Sequence, residues 1–164
     1  ESAVSLIPKY KNLLVTQTFS KSRSMAGARL GFGVGSKALI ADLNTVKYST
    51  NPYNINRMTM AAGVAAIRDD EYYMTNAKAI IRERKWTSDQ LASLGFTLTD
   101  SMANFIFAKH PEYDAKELFT ALKENDIYVR FWGSKRIEQY MRISVGTKEE
   151  MDALLAFLRK HMNK

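Results

Sequence analysis

The chain of 164 residues contains no cysteine. Disulfide staples and thiolate metal sites are therefore excluded, which fits a cytoplasmic protein. Histidine is scarce as well. His110 and His161 are the only two, far apart in sequence. They suggest no metal cluster, and both are expected at the surface rather than as ligands. No apolar run is long enough to cross a bilayer, and nothing reads as a secretory leader, with its charged start and apolar centre. There is no internal repeat and no low-complexity stretch. Acids are under-represented: 17 Asp and Glu face 24 Lys and Arg, a formal charge of +7. Such an excess raises the question of nucleic acid. The basic residues are scattered rather than gathered in one stripe. They read as anionic-ligand binding in part and solvated helix faces in part.

What is present suits a globular α/β protein. Hydrophobic residues make up 46% and charged residues 25%, enough to bury a core and stay in water. The most informative stretch is Thr18-Phe19-Ser20-Lys21-Ser22-Arg23-Ser24-Met25-Ala26-Gly27-Ala28-Arg29-Leu30-Gly31. A lysine follows an apolar strand, small and hydroxyl residues surround it, and an arginine stands eight positions later. A lysine that condenses with a carbonyl needs a fixed place and a way to lose its proton. Hydroxyls and a guanidinium nearby suit a phosphate. The bland alternative is a basic, solvated surface turn.

A second signal is Tyr140-Met141-Arg142-Ile143-Ser144-Val145-Gly146-Thr147. An arginine on a short strand projects a planar fork from a fixed backbone, a geometry for bidentate capture of carboxylate or phosphate. Arg130 lies at the end of the preceding predicted strand and could stand beside it. The bland alternative is two surface arginines on an open sheet face.

The first run resembles the lysine motif of fold-type I pyridoxal-phosphate aminotransferases, roughly T-x-S-K-x-x-x-(L/M)-A-G-x-R-x-G. That resemblance implies pyridoxal phosphate held covalently by Lys21, with Ser20 and Arg29 on its phosphate. The second run is similar to the L-R-I-(S/T)-x-G-T segment of the same family, which assigns the substrate carboxylate to Arg142. The interval from Arg130 to that segment, the run Pro52-Tyr53-Asn54-Ile55-Asn56 and the pair Asn104-Phe105 resemble most the histidinol-phosphate branch of the family. There Arg130 would help hold the substrate phosphate. The resemblance spans essentially the whole chain.

It implies a transaminase of histidine biosynthesis that passes an amino group from histidinol phosphate to 2-oxoglutarate. Lys21 would move the Cα proton, its neutral form favoured by burial and by the nearby positive charge of Arg29. The family is a homodimer with shared sites, to which Tyr53 and Asn54 could contribute. Its partners are small molecules, with no nucleic acid and no membrane. The family's ring-nitrogen aspartate, phosphate loop and stacking aromatic lie upstream of the lysine, and no residue before Lys21 matches them; Glu1 is the only acid there. The chain is therefore expected to be the C-terminal part of a longer enzyme, inactive or nearly so alone.

The expected fold is α/β. It comprises a remnant of the large cofactor-binding domain (1–60), connecting helices (61–95) and a small C-terminal α/β domain (96–164). Within it, Leu13 to Thr18 is a buried strand, read as one of a parallel sheet that so early in the chain would have lost its neighbours. Leu30 to Val34 is a second strand, Lys37 to Asn44 a short helix after Ser36, and Tyr48 to Asn54 a loop. Helices follow from Asn56 to Leu94, with Ala77, Ile80, Ile81, Arg84 and Leu91 at helical spacing. The remainder reads β-β-α-β-β-α: Phe96 to Leu98, Phe105 to Ala108, Ala115 to Glu124, Ile127 to Arg130, Met141 to Val145, and a last helix opened by Thr147. Two readings within the cofactor class remain open, a threonine-phosphate decarboxylase and an aromatic amino-acid aminotransferase. A third is of another class, a basic α/β binding module. Its support is the charge and Phe131-Trp132. Against it, no aromatic motif of the RNA-binding kind is evident on the strand pair.

Overall fold

The computed structural model describes residues 2–163; Glu1 lies outside them. The chain forms two compact units, Glu1–Met74 and Thr75–Lys164. Among the described residues, no helix is long and apolar enough to cross a membrane.

In the first unit, β1 (Leu14–Thr18) and β2 (Gly31–Gly35) pair antiparallel, from Leu14 opposite Gly35 to Thr18 opposite Gly31. The expected parallel arrangement is corrected: β1 pairs with β2 as a hairpin. Its expected burial is not found either, because only Val15 of β1 is even half-buried. The helix α1 (Lys37–Thr50) starts where Ser36 accepts a hydrogen bond from the Leu39 amide, as anticipated. It runs six residues past Asn44. Turn-like residues stay helical because their hydroxyls donate back along the helix: Thr45 to the Ala41 carbonyl, Ser49 to Thr45 and Thr50 to Val46. The helix α2 (Arg57–Arg68) is capped by Asn56, whose Oδ1 accepts from the Thr59 amide at 2.8 Å. Gly63, buried in α2, faces Leu30, and a Cβ there would overlap Leu30 Cδ2.

The helix α3 (Asp70–Ser93) ends in a glycine cap. Gly95 has φ 98°, and the Phe96 amide donates to the Leu91 carbonyl at 3.1 Å. The apolar spacing over-read its first half: Ile81 is 53% exposed, and only Thr87 and Leu91 are buried.

The second unit is a four-stranded antiparallel sheet with the order β3-β4-β6-β5. Its strands are β3 (Thr97–Leu98), β4 (Phe105–Lys109), β5 (Arg130–Phe131) and β6 (Met141–Ser144). The strand expected over Ile127 to Arg130 is shorter and later, because only Arg130 and Phe131 find ladder partners on β6. Helices α4 (Ala115–Glu124) and α5 (Lys148–His161) have the anticipated caps. Asp114 accepts from the Lys116 and Glu117 amides, and Thr147 with Glu150 forms a capping box.

Strand alternation sorts the residues. Ile106 and Ala108 of β4 and Met141 and Ile143 of β6 are buried among Leu91, Leu122 and Leu155 from the helices. The expected inward positions Leu118, Leu154 and Leu158 are buried too, and Phe119 packs at the margin. His110 is not at the surface as expected. It is 5% exposed, its Nε2 donates to the Leu94 carbonyl at 3.2 Å, and its Nδ1 accepts from the Glu112 amide at 3.1 Å. A core histidine satisfied by two backbone groups of opposite kind needs no metal.

Candidate functional site

The predicted site residues fall on two surfaces, one in each unit. The first is the loop between β1 and β2. Phe19, 3% exposed, plugs the end of the hairpin and meets Phe32 edge to face at 6.0 Å. Its amide donates to the Leu30 carbonyl at 3.0 Å, and its carbonyl accepts from the Met25 amide at 3.0 Å. The loop is thus closed at its base. Ser20 and Arg29 each stand one residue inside that closure, and Lys21 follows Ser20. The Ser20 amide donates to Thr18 Oγ1 at 3.0 Å, and the Lys21 carbonyl accepts from the Ser24 amide, which holds the backbone on both sides of the lysine.

Two residues of this loop, Ser24 at φ 55° and Arg29 at φ 53°, adopt the left-handed conformation without being glycine. Each costs on the order of 1–3 kcal/mol, the kind of strain that gathers at functional sites. The Arg29 guanidinium donates from one Nη to the Ala26 carbonyl at 3.0 Å, which folds it back over its own loop. Lys21 is exposed rather than buried, so the expected desolvation of its amine is not found in this chain. Among the described residues no carboxylate pairs with Lys21 or Arg29. A hydroxyl, an ammonium and a guanidinium on one closed loop, none neutralised, fit a phosphorylated carbonyl compound.

Sequence reasoning missed Arg23. Its guanidinium lies over the Tyr73 ring at 4.3 Å, donates to the Ala66 carbonyl and stands 3.9 Å from Asp70. The loop that carries Lys21 is thereby tied to the end of α2 and the start of α3. No spacing in the motif pointed to this role, because its partners Ala66, Asp70 and Tyr73 lie 43 or more residues away.

The second surface is the face of the four-stranded sheet opposite the core. The register places Arg130 directly opposite Arg142, and Phe107 opposite Arg142 on the other side. The Arg142 guanidinium carbon lies 5.4 Å from the Phe105 ring centre and 5.5 Å from that of Trp132. Arg130 lies 5.6 Å from the same indole. Among the described residues the buried Arg142 Nε has no hydrogen-bond partner, which leaves the terminal nitrogens as the donors that could meet an anion. The pair Asn104-Phe105 is explained here as well. Asn104 joins β4 to Val145 through its carbonyl at 2.9 Å, and Phe105 backs Arg142.

Aromatics and cations therefore do share one face, where the sequence suggested neither a stripe nor an aromatic motif. They come from three strands and the residues that flank them, and only the pairing register assembles them. Their rings are engaged with each other and with the guanidiniums. Phe107 stacks on Tyr140 at 4.5 Å and meets Trp132 edge-on at 6.3 Å.

A chain with a closed serine-lysine loop in one unit and a strand-borne arginine pair in the other belongs to the aminotransferase class I and II family, which matches residues 1–158. It is 46% identical over all 164 residues to the histidinol-phosphate aminotransferase of Clostridium botulinum (strain Kyoto / Type A2), and spans 46% of that protein's length. The fold is shared with the histidinol-phosphate aminotransferase of Clostridium acetobutylicum, at TM-score 0.88 and 24% identity, over 99% of this chain and 49% of that one. It is also shared with the Sinorhizobium meliloti enzyme solved with pyridoxal-5'-phosphate, at TM-score 0.81 and 24% identity, over 98% of this chain and 44% of that one. The chain thus spans about half the length of the relatives it matches.

Proposed function

We propose that this chain supplies the lysine and the substrate arginines of a pyridoxal-phosphate-dependent aminotransferase that acts on histidinol phosphate and 2-oxoglutarate. The observation that carries the reading is the closed loop presenting Ser20, Lys21 and Arg29 with, among the described residues, no carboxylate paired with Lys21 or Arg29. Ser20 and Arg29 are the phosphate holders, and Lys21 is the covalent attachment point. When bound, the cofactor supplies the carbonyl with which amines condense and a conjugated ring that accepts the Cα electron pair.

The chain's own residues do the rest. Lys21 Nζ would take the proton from the substrate Cα and later return one. Arg142 holds the phosphate of the donor in one half-reaction and the glutamate carboxylate in the other, and Arg130 adds the charge that a phosphate monoester requires. The same pair receives 2-oxoglutarate in the second half-reaction. We keep the division into 1–60, 61–95 and 96–164 as a functional one: cofactor holding, connection and substrate selection. The exposed Tyr53, at 91%, and its neighbour Asn54 are our candidates for reaching a partner subunit's site in a cytoplasmic homodimer.

The test uses the full-length protein. Its absorbance with pyridoxal phosphate should show a band above 400 nm, lost in Lys21→Ala and kept in Arg142→Ala. Turnover of histidinol phosphate with 2-oxoglutarate should fall by about 10³-fold or more in Lys21→Ala. A band kept in Lys21→Ala would refute the lysine's role.

A further inference from the structure

Arg130 and Arg142 pose a physical problem. They are direct cross-strand partners on one sheet face, where like charges repel. Among the described residues no carboxylate pairs with either of them. What stands by both is an indole. Trp132 follows Arg130 by two residues and is half-buried, and each guanidinium carbon lies within 5.6 Å of its ring centre. The negative face of an aromatic ring attracts a guanidinium without accepting its hydrogen bonds or cancelling its charge. A carboxylate in the same place would do both, and would compete with substrate.

The indole is itself braced. Phe107 meets it edge-on, Tyr140 stacks on Phe107, and Lys109 caps Tyr140 at 5.3 Å. Phe105 closes the other flank of Arg142. With Nε buried and its guanidinium carbon near two rings, Arg142 is restricted before any anion arrives. The entropy of ordering two long side chains is then largely spent in folding rather than in binding.

We propose that Trp132 is a positioning residue that holds Arg130 and Arg142 side by side as an un-neutralised pair matched to a doubly charged anion, a phosphate monoester above all. This rests on the substrate role given to the two arginines above. The ring contacts no substrate in this scheme. It acts through the guanidiniums, and so should govern anion affinity and leave proton transfer at Lys21 alone.

The experiment uses full-length holoenzyme and inorganic phosphate as the probe, titrated calorimetrically, alongside steady-state kinetics with histidinol phosphate. In Trp132→Ala, phosphate affinity should fall at least about fivefold, and KM for the phosphorylated donor should rise in step with kcat within about twofold of the parent. Trp132→Phe, which keeps a π face, should recover most of the affinity. Trp132→Leu, apolar without one, should not. Affinity in Trp132→Ala within twofold of the parent, or equal affinity in Trp132→Leu and Trp132→Phe, would overturn the proposal. If Trp132→Ala fails to fold, the Leu and Phe pair decides. Arg142→Ala separates the two levels of argument. Undiminished phosphate binding there would remove the anchor role itself, whatever the tryptophan does.

Discussion

The two units carry the two halves of the proposed chemistry on very different foundations. In Thr75–Lys164, fourteen buried hydrophobic residues form one cluster between the sheet and helices α3, α4 and α5. In Glu1–Met74, the only buried residues among those described are Phe19 and Gly63. The same unit leaves Val46 60% exposed, with Met58, Val64 and Ile67 also open on α1 and α2. The arginine pair is therefore presented by a self-supporting scaffold, and the lysine by a hairpin and two helices whose apolar faces have little to pack against. Burial on the order of 25 cal/mol per Å² of apolar surface stabilises the first unit far less than the second. A loop with two left-handed residues is strained, and here its main anchors are Phe19, the Leu30–Gly63 contact and Arg23.

Core truncation should show this contrast most strongly. Leu155→Ala should cost about 2–5 kcal/mol in the unfolding of the second unit, whereas Val46→Ala in the first should stay within about 0.5 kcal/mol. Denaturant melts combined with hydrogen exchange of α2 and α4 amides would read both. Equal losses would erase the distinction between the units.

A smaller effect is expected at the tight Leu30–Gly63 contact of the first unit. Gly63→Val would push a side chain into Leu30 and should cost about 1–2 kcal/mol. It should raise exchange in α2 and the lysine loop while leaving α4 and α5 as they were. Exchange rising equally in both units would mean that they unfold as one.

The smallest effect belongs to the α5 cap. Hydrogen bonds from backbone and from the Thr147 side chain hold the exposed Glu149 carboxyl below its ordinary value. A depressed folded value means that this contribution is present at neutral pH and is lost as pH falls through the carboxylate range. Glu149→Gln should flatten the acid dependence of α5 exchange there and change nothing in the first unit. An unchanged acid profile would dismiss the effect.

Much of the second unit was legible in advance because its signals are local. Asp114 and Thr147 cap their helices by reaching three residues or fewer along the chain, and the alternation at Met141, Arg142 and Ile143 names its own inward face. The full length of α1 was not legible. Serine and threonine read as turn residues, and whether their hydroxyls turn back into the helix depends on the helix already being there. Burial in the first unit was misjudged for a related reason. An apolar run such as Leu13-Leu14-Val15 shows that a strand could be covered, and only a neighbouring element decides whether it is. The Lys21 motif could be read because its residues lie within one closed loop, and the Arg130–Trp132–Arg142 arrangement could not, since it exists only in the register of β5 on β6.

By itself, then, the sequence determined the family-like lysine run, the helix caps and the residue types available for anion binding, all set by spacing over a few residues. Tertiary structure alone decided that Arg130 and Arg142 stand opposite each other with an indole against both, that His110 belongs to a core, and that the lysine loop is tied down through Arg23. Those outcomes depend on which strands pair and which surfaces meet, and contacts between residues distant in the chain are fixed only when the whole core packs.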